Sequence, residues 1–401
     1  MSAPIVSFDP PATTIAPPLT LYIHLPWCGR KCPYCDFNSH KAPTQLPEKE
    51  YCQALIRDLE NALPTVWGRA IRAVFIGGGT PSLFSAATLD TLMAQIRALL
   101  NLSPQIEITL EANPDSSDVA KFSEFKAVGI NRLSLGVQSF NDAHLQALGR
   151  LHNADGAKRA AAAAATVFDN FNIDLMHALP AQNIDQALDD VQTALSYAPT
   201  HLSLYQLTLE AGTPFFRQPP PALPDEDTTA DISTAVQQHA QAAGYQQYEV
   251  SAYAKDGKCC QHNLNYWKFG DYLGIGAGAH SKITQPDGVL REERIKNPRD
   301  YMKNAAAPVR TQRRLNKDDI VFEFMLNALR LCDGFSTALL TAYTGGGTPL
   351  LRRALALAEE QQLIERTPQH IRASEKGQRY LNDLTALFMR EENHTIITKQ
   401  H

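Results

Sequence analysis

Between Leu21 and Glu210, six short apolar, β-rich runs alternate with longer segments of helical spacing, and this alternation constrains the fold more than any other feature of the chain. The runs Leu21–Trp27, Ala73–Ile76, Ile106–Leu110, Arg132–Gln138, Asn172–Met176 and His201–Leu207 read as strands. Between them, roughly Glu48–Leu63, Ala86–Leu100, Ser117–Val128, Ala154–Phe168 and Ile184–Tyr197 carry apolar residues three and four apart and read as helices. Strand–helix–strand units of this kind join parallel strands through right-handed crossovers. Six units fall short of a closed eight-stranded barrel. The expected fold is therefore α/β, an open, partial (β/α)6 barrel rather than a flat doubly wound sheet.

Parallel α/β folds gather their reactive groups beyond the carboxyl ends of the strands. Here the first strand runs into a cluster of cysteines and the second into Gly77-Gly78-Gly79-Thr80-Pro81. The third ends in Glu111, Asn113 and Asp115, the fourth in Gln138 and Ser139, and the fifth carries Asp174 and His177. One rim thus collects polar and glycine-rich chemistry.

Downstream the pattern changes. Arg217–Asp227 is a Pro-rich, acidic break that reads as a hinge. A helix at roughly Thr229–Ala243 and a short strand near Tyr248–Ser251 precede a Gly-rich stretch from His262 to His280. From about Asp318, helices at Asp318–Leu331, Ser336–Tyr343 and Leu350–Gln361 lead to β-like runs at Leu363–Arg366 and His370–Ala373 and a last helix at Glu375–Phe388. That order predicts a small C-terminal winged-helix-like α+β domain. The expected division is a Pro-rich N-terminal arm over 1–18, a core over 19–252, a connecting region over 253–317, the C-terminal domain over 318–390 and a tail over 391–401. A length of 401 residues with 44% hydrophobic content suits a large core with an appendage. The first twenty residues hold five prolines and neither a positive nor a continuous apolar segment, so they read as an extended arm and not as a secretory signal. No run of 18 apolar residues suggests a membrane span. The expected location is cytoplasmic. A net charge of −5 argues against a dedicated nucleic-acid binder.

Three of the seven cysteines fall in Cys28-Gly-Arg-Lys-Cys32-Pro-Tyr-Cys35; the others are Cys52, Cys259, Cys260 and Cys332. An odd, clustered set in a cytosolic chain points to metal rather than disulfides. Three thiolates within eight residues converge only if their loop wraps a compact metal object. Structural zinc takes four ligands. His24 or His40 offers a fourth, but neither lies at a familiar zinc spacing. A cubane also usually takes four cysteines, and holding it with three leaves one iron open to a small molecule. The residues favour the cluster and leave zinc open. By themselves, Gly77–Gly79 read equally as a tight turn, Arg150 as a surface salt bridge and Asp174 as a strand-end cap.

C-x3-C-x2-C after a first β-strand resembles the hallmark of the radical S-adenosylmethionine (SAM) superfamily. The flanking Leu21-Tyr-Ile-His-Leu-Pro-Trp-Cys28 and Cys32-Pro-Tyr-Cys35-Asp-Phe-Asn-Ser narrow the likeness. They resemble the oxygen-independent coproporphyrinogen III oxidase family, and within it the haem-chaperone branch, from about Leu21 to Phe388. The resemblance implies a radical SAM barrel whose Cys28, Cys32 and Cys35 hold a 4Fe-4S cluster. It implies that the open iron chelates SAM, whose one-electron reduction yields methionine and a 5′-deoxyadenosyl radical, with flavodoxin or ferredoxin as electron donor. It also implies that Tyr22, Tyr34, Gly78, Gly79, Thr80, Glu111, Gln138, Arg150 and Asp174 contact SAM.

The sequence departs from the oxidase pattern in two places. Phe37 stands where the oxidase has a further cysteine, two residues beyond the third ligand, and the segment ahead of Cys28 is shorter. Both departures are shared with the haem-chaperone branch, as is His262-Asn-Leu-Asn-Tyr266-Trp267, which matches its HNxxYW pattern. A His beside two aromatics suits a haem site, imidazole to iron and rings to porphyrin. His280 is a rival ligand. Cys259-Cys260 reads as inert thiols. The expected function is a haem chaperone that binds haem, the cluster and SAM and passes haem to acceptor proteins. The alternatives are coproporphyrinogen oxidase or another tetrapyrrole enzyme and, more remotely, a nucleic-acid-associated radical SAM protein. Arg291–Lys317 holds nine Lys or Arg against three acids. It reads as a solvated face, or as a contact for an acidic partner or membrane surface.

Overall fold

The computed structural model describes residues 16–116 and 118–389; most of the Pro-rich arm, Ser117 and the tail lie outside the described residues. Six parallel strands form the centre: β1 (Leu19–Leu25), β2 (Ala70–Gly78), β3 (Asn101–Ala112), β4 (Arg132–Gln138), β5 (Phe171–His177) and β6 (His201–Gln206). Each pairs with the next in order. Helices Glu48–Val66, Ala86–Leu99, Val119–Val128, Ala154–Val167 and Ile184–Leu195 fill the crossovers. Polar caps start four of them: Ser85, Asp118, Asn153 and Asn183 each accept a backbone N–H of the first turn, and Asn183 forms a capping box with Gln186. Leu133, Leu135, Val137, Ile173, Leu175 and Leu202 belong to the buried core that these helices share.

The sheet extends beyond β6 through β7 (Gln246–Glu249) and β8 (Ala252–Ala254), and beyond β1 through β9 (Asp271–Ile275), β10 (His280–Gln285), β11 (Gly288–Arg294) and β12 (Val309–Arg314). The full order is β12-β11-β10-β9-β1-β2-β3-β4-β5-β6-β8-β7. Its two ends do not pair, so the barrel is open. β9 runs parallel to β1, and β10 to β12 fold back antiparallel. The stretch 253–317, expected to connect two units, thus supplies four strands and the helices Gln261–Trp267 and Pro298–Lys303.

A buried ion pair fastens this extension. Asp58, on the helix after β1, accepts hydrogen bonds from Gly276 N–H (3.1 Å), Arg294 Nε (3.0 Å) and Tyr301 Oη (2.8 Å). The basic run is mostly met by acids. Arg291 pairs with Glu323, Arg310 with Glu293, Arg313 with Glu323 and Arg314 with Asp287. From Lys317 three helices, Lys317–Ala328, Thr337–Thr344 and Pro349–Glu360, pack with a three-stranded sheet of Phe335–Ser336, His370–Ala373 and Ile364–Arg366. Val321, Phe324, Leu355, Ile371 and Phe388 give this part its own apolar core. Among the described residues no helix is long and apolar enough to cross a membrane.

Candidate cofactor site

The polar residues on three central strands fall two or four apart, on one parity of each strand: Arg132, Ser134 and Gln138 on β4, Asn172 and Asp174 on β5, and His201 and Ser203 on β6. Successive side chains of a strand face opposite sides. The apolar partners therefore go outward to the helices and these residues go inward, where all of them line a cavity of about 560 Å³. They are tied into a network. Asn172 Nδ2 donates to Ser134 Oγ (2.8 Å) and Asp174 Oδ1 (2.7 Å), and Ser203 Oγ donates to Asn172 Oδ1 (3.1 Å). His201 bonds Asn172 Oδ1 (2.7 Å) on one side and the Tyr248 hydroxyl (2.9 Å) on the other.

Cys28, Cys32 and Cys35 line the same cavity. Cys28 lies in the two-residue strand Trp27–Cys28, held beside His40–Lys41, and the loop beyond turns back through Cys35 N–H to Cys32 O (3.2 Å). Among the described residues no three His, Cys, Asp or Glu side chains are placed to share a single metal ion. Burial pushes the Cys28 thiol up to about 11 and raises Cys35 also, so a metal bound there would have to displace their protons.

Gly78, Gly79 and Thr80 line the cavity where β2 ends. Gly78 has φ +119°, and a Cβ there would lie 2.6 Å from His24 Cε1; one on Gly79 would lie 2.4 Å from the Trp27 carbonyl oxygen. The chain's own packing thus already demands both glycines. Gly78 N–H donates to Glu111 Oε2 (2.9 Å). Burial and the nearby Asp174 nonetheless hold the Glu111 carboxyl up at about 7. Asp174 is likewise raised by burial, against its bonds to Asn172 and Ser203 and the charge of Arg132. Two enclosed carboxyls in one cavity suit a cationic ligand carrying hydroxyl and amino donors, and SAM is such a molecule.

Arg150 is not a surface salt bridge. Its Nη2 donates to Asn113 Oδ1 (2.8 Å) and Gly136 O (2.7 Å), and Nη1 points at Cys32 Sγ (3.7 Å). Asp174 caps no strand; it belongs to the inner network. Gln138 lies in the cavity wall with φ 72°, an unusual backbone for a non-glycine residue. Tyr22 lines the wall with its hydroxyl bonded to His24 Nδ1 (2.9 Å), and Tyr34 leans on Phe215 beside the cysteines.

Residues 22–194 match the radical SAM superfamily, and residues 315–380 match the HemN C-terminal domain. Over 377 residues, 94% of this chain and 99% of the relative, the sequence is 46% identical to a protein named heme chaperone HemW from Escherichia coli (strain K12). A protein of the same name from Haemophilus influenzae (strain ATCC 51907 / DSM 11121 / KW20 / Rd) is 44% identical over 382 residues, 94% of this chain and 99% of that one. The chain belongs to the HemW family. Its fold matches a solved structure of the Escherichia coli radical SAM enzyme coproporphyrinogen III oxidase, HemN, with TM-score 0.79 and 21% identity, over 93% of this chain and 90% of that one. Membership of the radical SAM superfamily implies a 4Fe-4S cluster and SAM, and the cavity fits both.

In this HemW-family chain the hexapeptide His262–Trp267 forms a helix, and the structure separates its three singled-out residues. His262 lines the cavity, packed on Phe75 (5.1 Å between ring centroids) and Tyr22 (6.1 Å). Its Nδ1 is buried without a partner, and burial pushes the imidazole down to about 3. Tyr266 packs at a tilt on Tyr272 (4.7 Å) and Trp267 lies under Arg330 (4.4 Å), and neither lines the cavity. His280 is exposed, 3.8 Å from Glu293. Cys260 is buried with Sγ 3.7 Å from Glu107 Oε1. Arg132, Asn172, His201 and Ser203 were not singled out in sequence, although their two-residue spacing within apolar strands was the signal for them.

Proposed function

We propose that this chain is a haem-binding chaperone built on a radical SAM core, one that passes haem to acceptor proteins. Near full-length identity of 46% to a protein named heme chaperone HemW carries the reading. Phe37 in place of a further cysteine supports it against coproporphyrinogen oxidation. In the proposed site, Cys28, Cys32 and Cys35 hold the cluster, and Arg150 beside Cys32 offsets thiolate charge. Glu111 and Asp174 accept hydrogen bonds from the hydroxyl and amino groups of SAM. Tyr22, Tyr34, Gly78, Gly79, Thr80 and Gln138 shape the wall around it. When bound, the reduced cluster supplies an electron to SAM. His262, with an unpaired Nδ1, is the nitrogen donor proposed for haem iron, and Tyr266 and Trp267 support its helix from outside the cavity.

The proposal extends to an electron donor such as flavodoxin or ferredoxin and to a cytoplasmic location. Peripheral contact with a membrane surface or an acidic partner would use cations of 291–317 that acids leave unmatched. The proposed organisation keeps the arm, the core, the stretch that joins its sheet, and the C-terminal domain with its separate apolar core. The test is a haem titration followed at the Soret band, beside an anaerobic coproporphyrinogen assay. The expected result is a saturable haem complex, a shifted Soret band in His262→Ala, and no porphyrinogen product. Conversion of coproporphyrinogen III to protoporphyrinogen IX would decide for the enzyme.

A further inference from the structure

Three of the large hydrophobic side chains left exposed by this fold border the cysteine loop. Phe37 is 58% exposed, Leu151 50% and Phe216 43%. Phe37 lines the cavity. Leu151 borders the loop, since a Cβ on Gly29 would meet its Cδ1 at 3.0 Å. Phe216 stands on the short helix Pro214–Arg217, which the loop holds directly: Phe215 N–H donates to Pro33 O (3.1 Å) and the Phe215 ring lies 6.4 Å from Tyr34. Exposed apolar side chains are ordinary when scattered, but a group gathered at a cavity mouth marks a binding surface.

Cations stand among them. Arg30 lines the cavity and is exposed, Lys31 is exposed with Nζ donating to Phe37 O (2.9 Å), and Arg217 follows Phe216 on the same helix. Asp36 and Glu210 also line the wall, and Glu210 is engaged by Thr208 Oγ1 (2.7 Å). An apolar ring beside cations calls for a flat apolar ligand that carries carboxylates. Haem is such a ligand, with a broad hydrocarbon macrocycle and two propionates.

We infer that haem lies across the mouth of the cavity, its macrocycle on Phe37, Leu151 and Phe216 and its propionates toward Arg30, Lys31 and Arg217. This rests on the reading of the chain as a haem binder and moves the macrocycle away from Tyr266 and Trp267, which the structure turns from the cavity. The ring holds the macrocycle whichever nitrogen reaches the iron. A seat at the mouth also leaves the outer face of haem open to an acceptor.

The test uses full-length, cluster-loaded protein. Hemin, iron-free protoporphyrin IX and the hemin dimethyl ester are titrated into wild type, a Phe37→Asp/Leu151→Asp/Phe216→Asp triple variant and an Arg30→Glu/Arg217→Glu double variant. These side chains are exposed, so folding and cluster content, checked by circular dichroism and iron assay, are expected to stay as in wild type. The triple variant is expected to bind hemin and protoporphyrin IX at least tenfold more weakly. The double variant is expected to lose the wild-type preference for hemin over its ester. Hemin affinity within threefold of wild type in the triple variant overturns the inference and leaves the chaperone reading standing. If that variant keeps hemin but fails to pass it to an acceptor, the ring is a docking surface for the acceptor, which also overturns it. Absence of hemin binding by wild type sinks both readings.

Discussion

Replacing Glu111 by Gln should stabilise the protein without its cofactors and weaken SAM binding, and pH separates the two effects. The Glu111 carboxyl moves from an ordinary 4.5 to about 7 in the fold, raised by burial and Asp174 against the bond from Gly78 N–H. At about 1.36 kcal/mol per pH unit, this amounts to about 3 kcal/mol against the ionised form. The side chain is partly open to the cavity, so water screens part of it, and about 1–2 kcal/mol is the expected share. Between pH 4.5 and 7 the native state binds more protons than the unfolded one, so this contribution falls as pH rises and is fully unfavourable above about 7. Gln cannot ionise, yet its carbonyl oxygen can still accept from Gly78 N–H. Urea denaturation of cluster-free wild type and variant, followed by circular dichroism, should show equal stability near pH 5 and an advantage of about 1–2 kcal/mol for Glu111→Gln near pH 8. Relief of Asp174 in the variant acts in the same direction. A difference that stays constant from pH 5 to 8.5, or a variant less stable at pH 8, would refute the argument that the fold bears a cost for this carboxylate.

Alanine at Cys28, Cys32 and Cys35 should abolish the reconstituted cluster, read by absorbance and EPR. Cys52→Ala, in the packed helix Glu48–Val66, should leave it intact; a full cluster in the triple variant refutes the assignment. Asp58→Ala leaves Arg294 with Glu292 alone and takes the acceptor from Gly276 N–H and the Tyr301 hydroxyl, and should cost about 3 kcal/mol in urea denaturation. A loss below about 1 kcal/mol would mean that the extension beyond β1 is not fastened there.

Much of the core was legible because period and length agree in it. Arg132–Gln138 is a strand with the expected bounds, and the other central strands and crossover helices differ mainly at their ends. The extension from β9 to β12 was not legible. Its strands are short, rich in Gly, Lys, Arg and Glu, and stabilised by pairings such as Leu19 with Asp271, between residues far apart in sequence. Strand propensity cannot register a partner so distant. The helix Asp142–Ala147 is only six residues long, too short for apolar periodicity to mark it, although Asn141 caps it by accepting from Ala143 and His144 N–H. At the site, cysteine spacing announced the loop. The inner network was visible only as single polar residues inside apolar runs, the pattern that also misled about Asp174.

That network explains why the cavity exists at all. The outward positions of β4 to β6 are filled with Leu, Ile and Val, and the same side chains inward would close the space. Instead the chain buries Arg132, whose Nε has no hydrogen-bond partner and whose Nη1 reaches Thr109 Oγ1 only at 3.5 Å, and His262, whose Nδ1 is also unpaired. Each unpaired buried group costs about 1–3 kcal/mol, and enclosing Glu111 and Asp174 adds to that. The charge of Arg132 offsets part of the carboxylate cost, since it lowers Asp174 against burial. A ligand that offers partners to these atoms would gain from them, and the packed outer face of the sheet supplies the stability that makes this arrangement tolerable.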